Sequence, residues 1–105
     1  MAERINEQQF QEKILAGEGV KIAEFYSDTC IPCKRMAPLL AELEEAHNIY
    51  VGKINVAFDQ ALAEQWKVKS SPTLLFFKNG NQVERVTGAA VKKQQLEEII
   101  KKYQK

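Results

Sequence analysis

The 105-residue chain has two cysteines, and they stand three positions apart as Cys30-Ile31-Pro32-Cys33. Paired thiols at this spacing can cycle between dithiol and disulfide, close a small structural loop, or supply half of a metal site. A structural zinc needs four ligands. The chain adds only one histidine, His47, at the far end of the helix expected after the cysteines, so any remaining ligand would have to be a carboxylate. A disulfide closing so short a loop gains little chain entropy as a crosslink. Redox exchange is the chemistry the pair suits best. A thiolate at a helix start is favoured by unpaired N–H groups and by the helix dipole, so the leading sulfur, Cys30, is expected to ionise readily and act as nucleophile.

The elements around the pair are arranged for that placement. Val20 to Tyr26 is an apolar run that predicts a buried strand, and Pro32 to His47 predicts a helix, so the cysteines fall at a strand-to-helix junction. Pro32 fits a first helical turn, where its missing N–H costs nothing and its φ is already helical. Pro38, inside the helix, removes a backbone bond and bends the axis. Before the strand, Asn6 can cap a helix to about Ala16 with Phe10 and Ile14 on one face, ended by Gly17 and Gly19. After the helix, Ile49 to Val56 predicts a second buried strand, and Asp59 a cap for a short helix carrying Leu62 and Trp66. Thr73 to Phe77 predicts a central strand, Asn79-Gly80 a hairpin turn, and Gln82 to Thr87 its antiparallel partner. A last helix from Lys92 to Tyr103 has an apolar stripe of Leu96, Ile99, Ile100 and Tyr103 and ends in lysines. This order predicts an α/β fold with a central mixed sheet and helices on both faces.

Length and a 45% hydrophobic content predict one domain over residues 1–105 with a single real core. A net charge of +1 argues against a general nucleic-acid binder. Residues 1–47 nevertheless carry nine acids and five bases, and 48–105 five acids and ten bases, an asymmetry that can bias partner choice. The polar N-terminus does not read as a secretory signal and no run approaches a membrane span, so the cytoplasm is the expected compartment. In that setting a CxxC pair is more often redox-active or metal-binding than a permanent crosslink.

The same residues carry a resemblance to the thioredoxins over nearly the whole chain. It rests on the strand leading into Cys30-Ile31-Pro32-Cys33-Lys34, on Pro38, and on Ser71-Pro72-Thr73 before an apolar strand. Phe77-Lys78-Asn79-Gly80 and Gly88 before the last helix extend it. The chain departs from the commonest pattern, Trp-Cys-Gly-Pro-Cys, in having Thr29 and Ile31 around Cys30. Tyr26 stands where a second tryptophan is usual, Glu24 where a buried aspartate is usual, and Ser71 where an aliphatic residue is usual.

By this resemblance Cys30 attacks a disulfide and Cys33 resolves the mixed disulfide. Glu24 interrupts an apolar strand; alternation alone could turn it to solvent, while burial would raise its pKa toward neutrality. The resemblance implies the second, with Glu24 relaying the Cys33 proton and Lys53 on the next strand near the acid. It also implies a cis peptide before Pro72, with the Ser71 backbone pairing with an extended substrate strand. Gly88 and Ala89 complete that groove, and Tyr26 lines the floor beneath the disulfide. Ile31, where glycine is usual, either enlarges the apolar docking surface beside the attacking sulfur, screens Cys30 from some partners, or is a neutral change at a tolerant position. Trp66 is placed either near the groove or in the core against Leu62, and Lys34 and Arg35 either help the thiolate electrostatically or are simply exposed in the first turn.

The function expected is protein-disulfide reduction without a bound cofactor or metal, as a monomer. Electrons would come from a thioredoxin-reductase-type donor and pass to disulfide-bearing proteins, with no nucleic-acid or membrane partner. A disulfide oxidant or isomerase, and a thioredoxin-fold binding module without catalysis, are the alternatives.

Overall fold

The computed structural model describes residues 2–88 and 91–104. Five strands form one sheet in the order β1-β3-β2-β4-β5: β1 Glu3–Arg4, β2 Val20–Tyr26, β3 Tyr50–Asn55, β4 Thr73–Lys78 and β5 Asn81–Thr87. The first three in this order run parallel, β4 is antiparallel to β2, and β5 is antiparallel to β4. The sheet is therefore mixed, as expected. The strand β1 is the addition: two exposed polar residues carry no alternating pattern, and only the register of Glu3 on Gly52 and Arg4 on Lys53 makes them a strand.

Four helices cover the sheet: α1 Glu7–Phe10, α2 Ile31–His47, α3 Gln60–Gln65 and α4 Lys93–Tyr103. Asn6 caps α1 through a reciprocal capping box with Gln9, as the residue types require. Instead of continuing to Ala16 as an α-helix, the segment Gln11–Leu15 is π-helical, with Ala16 donating to the Gln11 carbonyl five residues back. Phe10 and Ile14 are buried as expected. Asp59 is the cap residue of α3, but its side chain makes no capping hydrogen bond.

Strand alternation divides the core in two. Val20, Ile22, Val51, Leu74 and Phe76 face α2 and α4, meeting Met36, Leu40, Leu43, Leu96 and Ile100. Ala23, Phe25, Ile54, Leu75 and Phe77 face the other way, meeting Phe10, Ile14 and Leu62. The β4–β5 hairpin turns through Asn79 (φ 52°) and Gly80 (φ 83°), as the Asn-Gly pair predicts. Gly80 is also confined by packing, since a Cβ there would lie 2.2 Å from the Leu15 carbonyl oxygen.

Candidate active site

Strand β2 ends at Tyr26, and four residues later α2 begins. Cys30 is the cap residue of that helix (φ −84°, ψ 104°), and its Sγ accepts a hydrogen bond from the Cys33 N–H at 3.1 Å. Ile31 and Pro32 are the first two helical residues, where a missing N–H leaves no bond unmade. The two cysteines form a disulfide with their Cα atoms 5.2 Å apart. Both are largely covered, Cys30 at 8% and Cys33 at 4% exposure, so the expected exposed sulfur is only the less buried of the two. Ile31 is 63% exposed beside it.

Below the disulfide the sheet carries a polar row. Lys53 on β3 is in register with Glu24 on β2 and with Arg4 on β1. Glu24 is fully buried, and neither carboxylate oxygen has a hydrogen-bond partner among the described residues. Burial pushes its pKa up to about 7, and Lys53 acts in the opposite sense. Alternation does not turn Glu24 to solvent, because α2 and α4 cover this face too.

The Lys53 ammonium lies 4.7 Å from the centroid of the Tyr26 ring, and the Arg4 guanidinium 6.0 Å from it. Tyr26 forms a separate buried cluster with Cys30 and Cys33, consistent with a floor beneath the disulfide. Arg4, Tyr26, Asp28, Cys33, Lys34 and Lys53 are among the residues around a cavity of about 280 Å³. Nothing in the sequence marks Arg4, because its place depends on the β1 register.

The Ser71–Pro72 peptide is cis. Gly88 donates its N–H to the Pro72 carbonyl at 3.1 Å, and the Ser27 and Ser71 hydroxyls lie 3.5 Å apart. The β2–α2 connection and the cis-proline loop thus meet at one end of the sheet, and a cleft of about 200 Å³ between Ser27, Val56, Val68 and Ser71 opens there. Ala89, expected in the groove, lies outside the described residues. Trp66 does not join this group: its ring packs edge-on to Phe10 and Phe77, at 5.5 and 5.4 Å between centroids, on the opposite face of the sheet. The core alternative for Trp66 is the one observed, with Phe10 and Phe77 as ring partners.

Phe58, 78% exposed in the β3–α3 connection, is a further apolar side chain at the disulfide end. The parallel course of β2 and β3 brings it there, which local sequence does not announce. A larger cleft, about 830 Å³, lies at the other end, between Glu18, Lys21, Glu45, Asn48 and Lys78, away from both sulfurs.

The family model described as Thioredoxin matches residues 1–102. The chain belongs to the thioredoxin family. It is 42% identical over 71 residues to a thioredoxin from Chlamydia caviae, covering 67% of this chain and 70% of that protein. To the chloroplastic thioredoxin M-type of Spinacia oleracea it is 37% identical over 101 residues, covering 94% of this chain but 55% of that protein. A mutant thioredoxin from Halobacterium salinarum superposes with a TM-score of 0.91 at 32% identity, covering 99% of this chain and 90% of the other. This thioredoxin-family chain is a thiol–disulfide oxidoreductase of the protein-disulfide reductase kind. Its family implies a thioredoxin reductase and disulfide substrates as partners. Among the described residues, no helix is long and apolar enough to cross a membrane.

Proposed function

We propose that Cys30 is the attacking sulfur and Cys33 the resolving one. The supporting observation is the cap: Cys30 Sγ already accepts the Cys33 N–H at 3.1 Å at the head of a 17-residue helix. On reduction the same N–H and the helix dipole would stabilise a thiolate there. That thiolate attacks a substrate disulfide, one substrate sulfur leaves with the electron pair of the broken bond, and Cys30 becomes linked to the other. Cys33 then gives up its proton, attacks Cys30 and releases the second substrate sulfur.

Glu24 receives the Cys33 proton on this reading, by way of water, and Lys53 sets how readily the acid ionises. A carboxyl whose pKa is near neutrality suits a group that must both take and return a proton. The backbone of Ser71 before cis-Pro72 pairs with an extended substrate segment, Gly88 leaves the groove open, and Tyr26, Ile31 and Pro32 give it apolar walls. Recognition through the main chain suits a broad set of protein substrates. Residues 1–105 act as one monomeric domain in the cytoplasm, reduced by a thioredoxin-reductase-type donor.

Equilibration of the Cys30–Cys33 couple with a glutathione series tests the direction of electron flow. A potential of roughly −270 mV or lower is expected for a reductase, while a value near or above about −180 mV would make the protein an oxidant or isomerase. Cys30→Ser should abolish disulfide reduction, and Cys33→Ser should accumulate the mixed disulfide, visible by mass spectrometry. Full biological function in the double serine variant would leave only the binding-module reading.

A further inference from the structure

The cleft at the cis-proline loop has a lining that main-chain pairing with a substrate does not use. It encloses about 200 Å³ between Ser27, Val56, Val68, Lys69, Ser70 and Ser71. Ser27 follows β2 and Ser71 precedes cis-Pro72, so the cleft lies against the residue whose backbone receives the substrate segment. The Ser71 main chain hydrogen-bonds no other described residue, and the Ser71 hydroxyl lies 3.5 Å from that of Ser27. Whichever hydroxyl donates, the hydrogen of the other is left over, and the contact is itself a long one. Among the described residues Lys69 is the one charge in the lining, and its ammonium has no hydrogen-bond or ion-pair partner there. Asp28, next to Ser27 in sequence, lines the 280 Å³ cavity with Arg4, Lys34 and Lys53 instead.

These parts suit one kind of side chain. The two valines can cover an aliphatic stem, while the hydroxyls and the ammonium can only donate to what the stem carries. An apolar side chain would cover the hydroxyls without giving them an acceptor, which costs free energy. A basic one would meet Lys69. A carboxylate accepts from both hydroxyls and from the ammonium together, in hydrogen bonds of the stronger, charge-assisted kind. We propose that this cleft is a subsite for a glutamate side chain of the substrate, so that the protein favours disulfides with an acidic residue beside the attacked cysteine. Pairing with the Ser71 backbone fixes the segment, and alternation along an extended chain turns every second side chain the same way. One position within two residues of the attacked cysteine then faces the cleft. The aliphatic residue usual in place of Ser71 would remove one of the two hydroxyls, so the preference is a property of this chain. Electron transfer is untouched; the subsite acts on which disulfide reaches Cys30.

The inference deepens the proposed reductase function and rests on it. Its test is a set of symmetric peptide disulfides, otherwise neutral, in which each of the two residues on either side of the cysteine is in turn Glu, Gln or Lys. Pre-reduced protein is mixed with each peptide at low salt, and the second-order rate constant is read by acid quench and chromatography. At one of the four positions Glu should be reduced about fivefold faster than Gln, and Lys more slowly than Gln. Lys69 is exposed, so its replacement leaves the core intact. Lys69→Gln should abolish the preference, and Lys69→Glu should reverse it in favour of Lys. Equal rates for Glu and Gln at all four positions overturn the inference. A Glu preference of the same size at all four also overturns it, since that is attraction by the whole surface and not a subsite. A single-position preference that survives Lys69→Gln does the same. A wild type that reduces none of the peptides, neutral ones included, brings down the reductase reading and this one together. A wild type that reduces them all alike removes this one alone.

Discussion

The two faces of the sheet use their residues differently. Under α1 and α3 the face is apolar along its length, from Ala23 and Phe25 through Ile54 and Leu75 to Phe77, closed by edge-on contacts among Phe10, Trp66 and Phe77. Under α2 and α4 the same strands begin apolar, with Val20, Ile22 and Val51, and then turn polar at Glu24, Tyr26, Lys53 and Asn55. The change comes where α2 begins and the disulfide sits. One face is given wholly to cohesion; the other is core at one end and chemistry at the other. Among the described residues, buried polar atoms without partners lie mostly in that polar half, with both oxygens of Glu24, the Tyr26 hydroxyl and the Asn55 amide nitrogen, against the Trp66 indole nitrogen on the apolar face. A fold tolerates such groups where a reaction uses them, and the apolar face supplies the stability that permits it.

The division is broken most severely by Phe77→Ala. Phe77 is fully buried with two aromatic neighbours, and its truncation should cost about 3–5 kcal/mol in urea unfolding. The redox potential of the folded variant should stay at the wild-type value, because the site lies across the sheet. A shifted potential would show that the two faces are coupled.

The next largest effect sharpens the contrast from the polar side. Glu24 binds its proton more tightly when folded, with a pKa near 7 against an ordinary 4.5. Below 4.5 both states are protonated and nothing is lost; as pH rises through 7 the folded protein must bury a charge. The shift amounts to about 3 kcal/mol, complete above neutrality. Glu24→Gln should therefore match the wild type in stability near pH 4 and exceed it by about 3 kcal/mol at pH 8. In stopped-flow traces the same variant should slow resolution of the mixed disulfide more than its formation. Equal slowing of both steps would remove the relay role while leaving the stability argument intact.

How much of this was legible in the sequence follows from the range of the interactions involved. The strands β2 and β4, the cap at Asn6 and the Asn79-Gly80 turn are local matters of alternation, side-chain reach and positive φ, and they read directly. The cysteines at the head of α2 read for the same reason. Arg4 could not be read, since it becomes a neighbour of Lys53 only once β1 pairs with β3. The π-helical end of α1 was hidden because its apolar spacing at Phe10 and Ile14 suits an α-helix. Trp66 was ambiguous because a large amphipathic ring suits a groove or a core, and only the approach of Phe10 and Phe77 decides between them. Resemblance pointed to Glu24 and Lys53 as a pair; their register and the placement of the lysine over Tyr26 needed the fold.

The smallest effect on the protein itself belongs to Ile31, and it separates cohesion from recognition most cleanly. The side chain is 63% exposed at the first position of α2, so Ile31→Ala should change unfolding stability by no more than about 0.5 kcal/mol. It leaves the cap bond from the Cys33 N–H to Cys30 untouched, and with it the attraction of the helix head for a thiolate. Reduction of a small soluble disulfide should then proceed at the wild-type rate. A protein substrate that lays apolar residues beside Cys30 should show a higher KM with kcat little changed, because a contact made equally in the ground and transition states is lost. If small and protein disulfides slow by the same factor, Ile31 acts on the sulfur and not on docking, and the apolar residue beside Cys30 belongs with the chemistry of the polar half.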